Sequence, residues 1–162
     1  MIVPYRGPET QPRSLKVMGD LGQIVPIHFD PRNYESIEQA VRHSNVVINL
    51  IGSTRSTRNF SLDDSNVKLA RLIAKISKQN HVERYIHFSS IIADANSPSE
   101  WAKAKARGEE GVLELFPEAT ILRPADIFGG EDNLTNWQAW WIRNAKFVGI
   151  YKPERVIQPI YV

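Results

Sequence analysis

The chain has 162 residues, 42% hydrophobic and 23% charged, enough apolar material for the core of one globular domain and too little length for two full ones. Twenty Lys and Arg against 18 Asp and Glu leave a formal charge of +2 with the basic residues scattered, which excludes a nucleic-acid footprint and a polybasic membrane patch. With no cysteine there are no disulfides, thiolate metal sites or cysteine nucleophiles, and no apolar run approaches the roughly 20 residues of a membrane-spanning helix.

Strand-like and helix-like segments alternate along the whole length, the pattern of an α/β domain with a mostly parallel sheet. Met1 is followed by no cleavable presequence pattern. Residues 1–5 predict a first strand. After a turn-rich stretch, residues 23–29 predict a second, in which Pro26 argues for an edge position. A short helix is expected over 36–43. Residues 45–51 then read as a strand buried on both faces, because the apolar run is unbroken. Residues 64–79 place Val67, Leu69, Ala70, Leu72, Ile73 and Ile76 on one broad face and predict a core-packed helix, with Asp63 or Asp64 at its positive end. A strand over 85–89 follows. Ser97-Pro-Ser-Glu100 matches a capping box with proline in the first turn, predicting a helix from Pro98 to about Leu115. Residues 120–123 predict a strand, 133–146 a tryptophan-rich helix, and 156–162 a last strand.

Several residues fall where this architecture places ligands, outside the carboxyl ends of the strands. Arg6 closes the first strand and suits a nucleotide 2′-phosphate, or is a solvated surface arginine. Asp30 ends the second strand and can accept from an adenine amino group, or caps the next helix. Gly52 ends the third strand and permits close backbone approach to a ribose or pyrophosphate, or is an ordinary turn glycine. Ser89 and Ser90 end the next strand, as ligand contacts or as caps. Trp101 and Lys105 share a helical face. Lys105 can hold ribose hydroxyls, or pack its stem on the indole. His28, His43, His81 and His87 have no ligand spacing and read as structural, His87 as a buried strand histidine. Leu134, Trp137 and Trp141 form one stripe with Trp140 beside it, either core or a partner or membrane-surface contact, for which Arg143 and Lys146 would suit an anionic neighbour.

Met18-Gly-Asp-Leu-Gly-Gln23, Ser44-Asn-Val-Val-Ile-Asn-Leu-Ile-Gly52 and Pro117-Glu-Ala-Thr-Ile-Leu-Arg-Pro-Ala-Asp-Ile-Phe-Gly129 occur in order with Thr57-Arg-Asn-Phe60 and Gln158-Pro-Ile-Tyr-Val162. Together these stretches resemble the extended or atypical branch of the short-chain dehydrogenase/reductase superfamily. Within it they are similar to the dehydrogenase-like accessory subunits of mitochondrial respiratory complex I. The resemblance implies a Rossmann-like doubly wound domain holding NADPH, in a subunit docked with other complex I subunits on the matrix side of the inner membrane. By matching positions it assigns Arg6 to the 2′-phosphate, Asp30 to the adenine, and Leu50, Ile51 and Gly52 to the loop beside the adenosine ribose. Ser89 and Ser90 match the strand-end serines, Lys105 the lysine of Tyr-x-x-x-Lys, and Pro124, Ala125, Asp126 and Ile127 the nicotinamide-pocket segment. It implies a partial NADP-binding domain over 1–130 and the start of a smaller C-terminal region over 131–162.

Two departures qualify this expectation. The family's catalytic tyrosine is here Trp101, whose indole N–H cannot serve as a phenolate acid/base, so binding without catalysis is expected. An active NADP-dependent reductase or epimerase is the competing reading, and a free NADP(H)-sensing module a third. Further, none of the nine glycines forms the fingerprint that receives the pyrophosphate. Met1 aligns with the start of the family's second strand, so the first strand, glycine loop and first helix are expected from a missing segment or a second polypeptide. In the strand order 3-2-1-4-5-6 that strand is central. The expectation is a fragment whose sheet falls into two pieces with bare edges and an apolar face, unable to fold alone.

Overall fold

The computed structural model describes residues 1–8, 10, 12–130, 132, 134–145, 154 and 156–162. In chain order the elements are β1 (Ile2–Tyr5), α1 (Arg13–Lys16), β2 (Val25–His28), α2 (Tyr34–Val41), β3 (Val46–Asn49), a π-helical turn Asp64–Lys68 leading into α3 (Leu69–Gln79), β4 (Arg84–Phe88), α4 (Glu100–Leu115), β5 (Thr120–Leu122), β6 (Ile127–Phe128), α5 (Thr135–Asn144) and β7 (Ile160–Tyr161).

All strand pairs are parallel, as the β-α alternation requires. The sheet is in two pieces. β1 pairs with β2 alone, and β3, β4 and β5 form a separate ladder in that order, so among the described residues one edge of β1 and one edge of β3 carry no neighbour. Pro26 sits on β2, at the outer edge of its pair, where a missing amide hydrogen breaks no ladder. β6 and β7 form a small third pair.

One layer of helices unites the two pieces. Ile37, Ala40 and Val41 of α2, Leu69, Ala70, Ile73 and Ile76 of α3 and Val112 of α4 enclose a core with Phe29, Tyr85 and Phe116, against which Ile27, Val47 and Ile121 pack from both ladders. Tyr85 and Phe116 stack at 5.7 Å. α4 approaches the π-turn so closely that a Cβ on Gly108 would lie 2.3 Å from the Asn66 carbonyl oxygen, and glycine is required there for steric reasons alone.

Among the described residues the opposite sheet face is poorly covered. Val46 and Ile48 are 46% and 56% exposed, and Val25, Leu50 and Leu122 are exposed too. The expectation that residues 45–51 are buried on both faces is thus corrected: Val47 and Asn49 turn inward, whereas the alternate residues face a side that no described helix covers.

Helix ends differ from expectation for local reasons. α2 starts at Tyr34 because the Asn33 side chain accepts from the Glu35 amide at 2.9 Å. The expected box at Ser97–Glu100 does not form. Ser97 Oγ accepts from the Ser99 amide, Ser99 is extended, α4 begins at Glu100, and that carboxylate pairs with Lys103. A reciprocal box forms instead at Ser61 and Asp64, whose side chains each accept from the other's amide at 3.0 and 2.9 Å. In α5, Trp137, Trp140 and Trp141 pack on one another at 5.2–5.8 Å between centroids and remain exposed, so they are not core. Lys146, expected beside them, lies outside the described residues.

Candidate functional site

The carboxyl ends of β1 to β5 bring most of the singled-out residues to one edge of the fold, in two clusters. The first centres on Lys105. Its ammonium group is carried by α4 under the end of β4, is 8% exposed as a residue, and lies 3.4 Å from the Phe88 carbonyl oxygen. Burial lowers its pKa, and the charge of Glu109 one turn along the helix opposes that shift. Glu109 is itself buried and accepts two hydrogen bonds from Arg123 Nε at 3.0 and 3.1 Å, which ties the end of β5 to α4.

Gly52 completes this cluster. A Cβ there would meet Lys105 Nζ at 2.9 Å and Asn66 Oδ1 at 3.0 Å. Asn66, buried in the π-turn, accepts from the Ser53 amide at 3.2 Å and donates to the Ser53 and Leu62 carbonyls at 2.9 and 3.0 Å, which fixes the loop after β3. Sequence reasoning missed Asn66, because its partners become visible only once the helix is placed. Ser89 is buried beside Phe88, and its amide donates to Leu122 O at 2.8 Å. Ile91 in turn donates to Pro124 O at 2.9 Å, tying the loop after β4 to the segment after β5. Ile127 lies on β6 and is exposed.

This cluster is short of partners. Ser89 Oγ, Trp101 Nε1 and His87 Nε2 are buried without one among the described residues. Each forfeits the hydrogen bond that a buried polar atom ordinarily makes. His87 is structural, as expected. It is buried, Asn49 Nδ2 lies 3.2 Å from its Nδ1, and burial pulls its pKa down to about 4, so it is neutral at neutral pH and a weak base.

The second cluster lies at the ends of β1 and β2. Asp30 Oδ1 accepts from the Arg32 amide at 2.9 Å, an Asx turn that leaves Oδ2 without a hydrogen bond among the described residues. The turn directs Arg32 onto Phe60, its guanidinium carbon 4.6 Å from the ring centroid, while Nη2 donates to the Asn59 carbonyl at 2.8 Å. Arg6 lies over the same ring at 5.8 Å. Arg32 and Phe60 were also invisible to sequence reasoning, since Arg32 meets Asn59 across 27 positions. Arg32 and Phe60 line, with Pro31, Leu72 and the Asp64–Lys68 ion pair, an open surface pocket of about 340 Å³.

Strand-end glycine and buried lysine thus meet at the carboxyl edge of a parallel sheet, where open α/β folds bind their ligands. Comparison with known proteins decides the family. A family model described as NAD(P)H-binding matches residues 10–134. The chain belongs to this family. It is 47% identical over 161 residues to "NADH dehydrogenase [ubiquinone] 1 alpha subcomplex subunit 9, mitochondrial" of Dictyostelium discoideum, covering 99% of this chain and 45% of that protein. The Mus musculus protein of the same name is 46% identical over 164 residues, covering 100% of this chain and 43% of that one. The "NADH-ubiquinone oxidoreductase 40 kDa subunit, mitochondrial" of Neurospora crassa is 51% identical over 134 residues, covering 83% and 36%. The chain therefore spans less than half the length of these relatives. Among solved structures, Pen from Bacillus thuringiensis matches at a TM-score of 0.81 and 16% identity, covering 99% of this chain and 53% of that one. Bordetella bronchiseptica WbmG in complex with NAD and UDP matches at 0.60 and 17%, covering 79% and 46%. These likenesses support the NAD(P)-binding Rossmann-like architecture of the family.

Proposed function

We propose that this chain is the nucleotide-binding part of an accessory subunit of mitochondrial NADH:ubiquinone oxidoreductase, holding NADPH as a structural ligand on the matrix side of the inner membrane without turning it over. The observation that carries the reading is identity of 44–51%, over most or all of the chain, to proteins bearing those names. The site fits such a nucleotide. Gly52 lets the loop after β3 close up against Lys105, and Ser89 Oγ and Trp101 Nε1 are polar atoms in want of partners.

In this reading Arg6 faces the 2′-phosphate and Asp30 the adenine. Leu50, Ile51 and Gly52 flank the ribose, Ser89, Ser90 and Lys105 hold the nicotinamide half, and Pro124, Ala125 and Ile127 line its pocket. NADPH is a hydride donor wherever a proton source stands opposite it. Here Trp101 stands four residues before Lys105, and an indole donates a hydrogen bond but exchanges no proton near neutrality. Losing a positioned acid/base removes a hundredfold or more from a carbonyl reduction, of order 10²–10⁴. Residues 1–130 form the nucleotide-binding region. Residues 131–162 begin a region whose exposed tryptophans meet a neighbouring subunit or the membrane surface. A strand and glycine loop, from a further segment or a second polypeptide, fill the unpaired edges of β1 and β3.

One feature favours the competing reading of an active reductase or epimerase: the buried Lys105 with its lowered pKa and the strand-end Ser90 are both present. Mixing the intact protein with carbonyl substrates while following NADPH absorbance separates the two. No oxidation by the wild type, with a slow rate gained in Trp101→Tyr, supports the non-catalytic reading. Wild-type turnover lost in Ser90→Ala or Lys105→Met contradicts it.

A further inference from the structure

We infer that the end of α1 and the turn Asp20–Gln23 form a rigid docking knob, with Leu21 at its tip, that seats in an apolar, acid-rimmed pocket of a neighbouring protein subunit. The inference rests on the proposed place of this chain in a multisubunit assembly. It concerns a surface at the amino end of β2, the opposite end from the nucleotide site.

Apolar side chains gather here without a role in the fold. Leu21 is as exposed as in an isolated peptide, at 106%, Val17 and Met18 reach 83% and 76%, and Leu15 is exposed on α1; none of them belongs to the core cluster. A single exposed leucine is ordinary, whereas a group of them within one short stretch marks a contact surface.

The backbone beneath them is held. The Gln23 amide donates to the Asp20 carbonyl at 3.0 Å and closes a four-residue turn, in which Gly22 takes a φ of +81° that a side chain would strain. The same two residues are joined twice more, the Asp20 amide donating to Gln23 Oε1 at 3.3 Å and Gln23 Nε2 donating to Asp20 Oδ2 at 3.1 Å. Behind the turn the Met18 amide donates to the Leu15 carbonyl at 3.2 Å, which ties the turn back to α1. An apolar tip fixed in this way is ordered before it meets anything, so docking costs it little conformational entropy.

Shape and charge choose the occupant. A lipid surface rewards apolar area whatever its shape and favours aromatic side chains at its boundary, and residues 13–23 contain no aromatic. A fixed shape gains affinity against a fixed complement, the packed pocket of a folded protein. Arg13 and Lys16 flank the tip, both exposed and in none of the ion pairs among the described residues, while the Asp20 carboxylate is engaged with Gln23. The rim that complements them is acidic.

The test uses the full-length subunit, expressed in cells that lack it, with a photoreactive benzophenone side chain placed at position 21. The assembled complex is irradiated, isolated on a native gel and digested for mass spectrometry. The crosslinked peptide should belong to another subunit and carry Asp or Glu close to the attachment point. A crosslink to this same subunit, whether its own chain or a second copy, to a lipid, or to nothing would overturn the knob. In parallel, Leu21→Asp should lower the share of the subunit found in the assembly about tenfold, Leu21→Met should keep about half of it or more, and Arg13→Glu combined with Lys16→Glu should lower it about threefold. Unchanged incorporation of Leu21→Asp would overturn the knob and leave the assembly standing, and unchanged incorporation of the double charge reversal would overturn the acidic rim. A wild type that migrates in no assembly would overturn the knob and the proposed accessory role together.

Discussion

At the residue scale, the site is defined by buried groups whose charge the fold controls. His87 is held neutral to about pH 4 in the folded protein, whereas an unfolded chain takes up the proton near 6.5. The unfolded state therefore binds more protons between these values, and stability falls as pH drops from about 6.5 to 4, by up to about 3 kcal/mol. Melting temperatures of the intact protein measured across that window should fall accordingly, and His87→Gln should flatten the slope. A second expectation concerns Gly52. Because an added Cβ would press on Lys105 Nζ and Asn66 Oδ1, Gly52→Ala should weaken nucleotide binding several-fold with little loss of stability, read by titration against melting temperature. An equal fall in both would mean that the glycine serves packing alone.

Secondary-structure elements show how far hydrophobic pattern carries. The order of the longer strands and helices was legible, because each strand of the main ladder is a short apolar run and α3 a long apolar face, whereas the one-turn α1, the two-residue β6 and the π-helical start of α3 are too short to leave a periodic pattern. The second face of β3 was not, since pattern reports that a strand can be covered and says nothing of whether a covering helix is there. Caps were partly legible. Ser97-Pro-Ser-Glu100 has the composition of a box but the wrong backbone at Ser99, whereas Ser61 and Asp64 have both. Of the site, the strand-end positions were readable from topology, while Asn66, Arg32 and Phe60 depend on contacts across a dozen or more positions. The contact between α4 and the π-turn makes its own prediction. Gly108→Ala drives a methyl group into the Asn66 backbone and should cost about 1–3 kcal/mol, seen as a lower melting temperature, with nucleotide affinity falling in step as the π-turn shifts.

On the scale of the whole molecule, two ladders share one helical layer and lack a common strand. The bare edges of β1 and β3, the exposed face of β3 and the tryptophans of α5 are surfaces that a stable monomer seldom presents. Expressed by itself, this chain should associate or aggregate on size-exclusion chromatography with light scattering; a sharp monomer peak with cooperative unfolding would contradict that.

The most direct test of the proposed accessory role is mass-spectrometric identification of every polypeptide and nucleotide that migrates with this chain on a native gel of mild-detergent mitochondrial extract. The expected result is migration within the NADH:ubiquinone oxidoreductase band, bound NADPH, and a peptide bearing the glycine loop. Recovery only as a small soluble species with exchangeable nucleotide and reductase activity would contradict it.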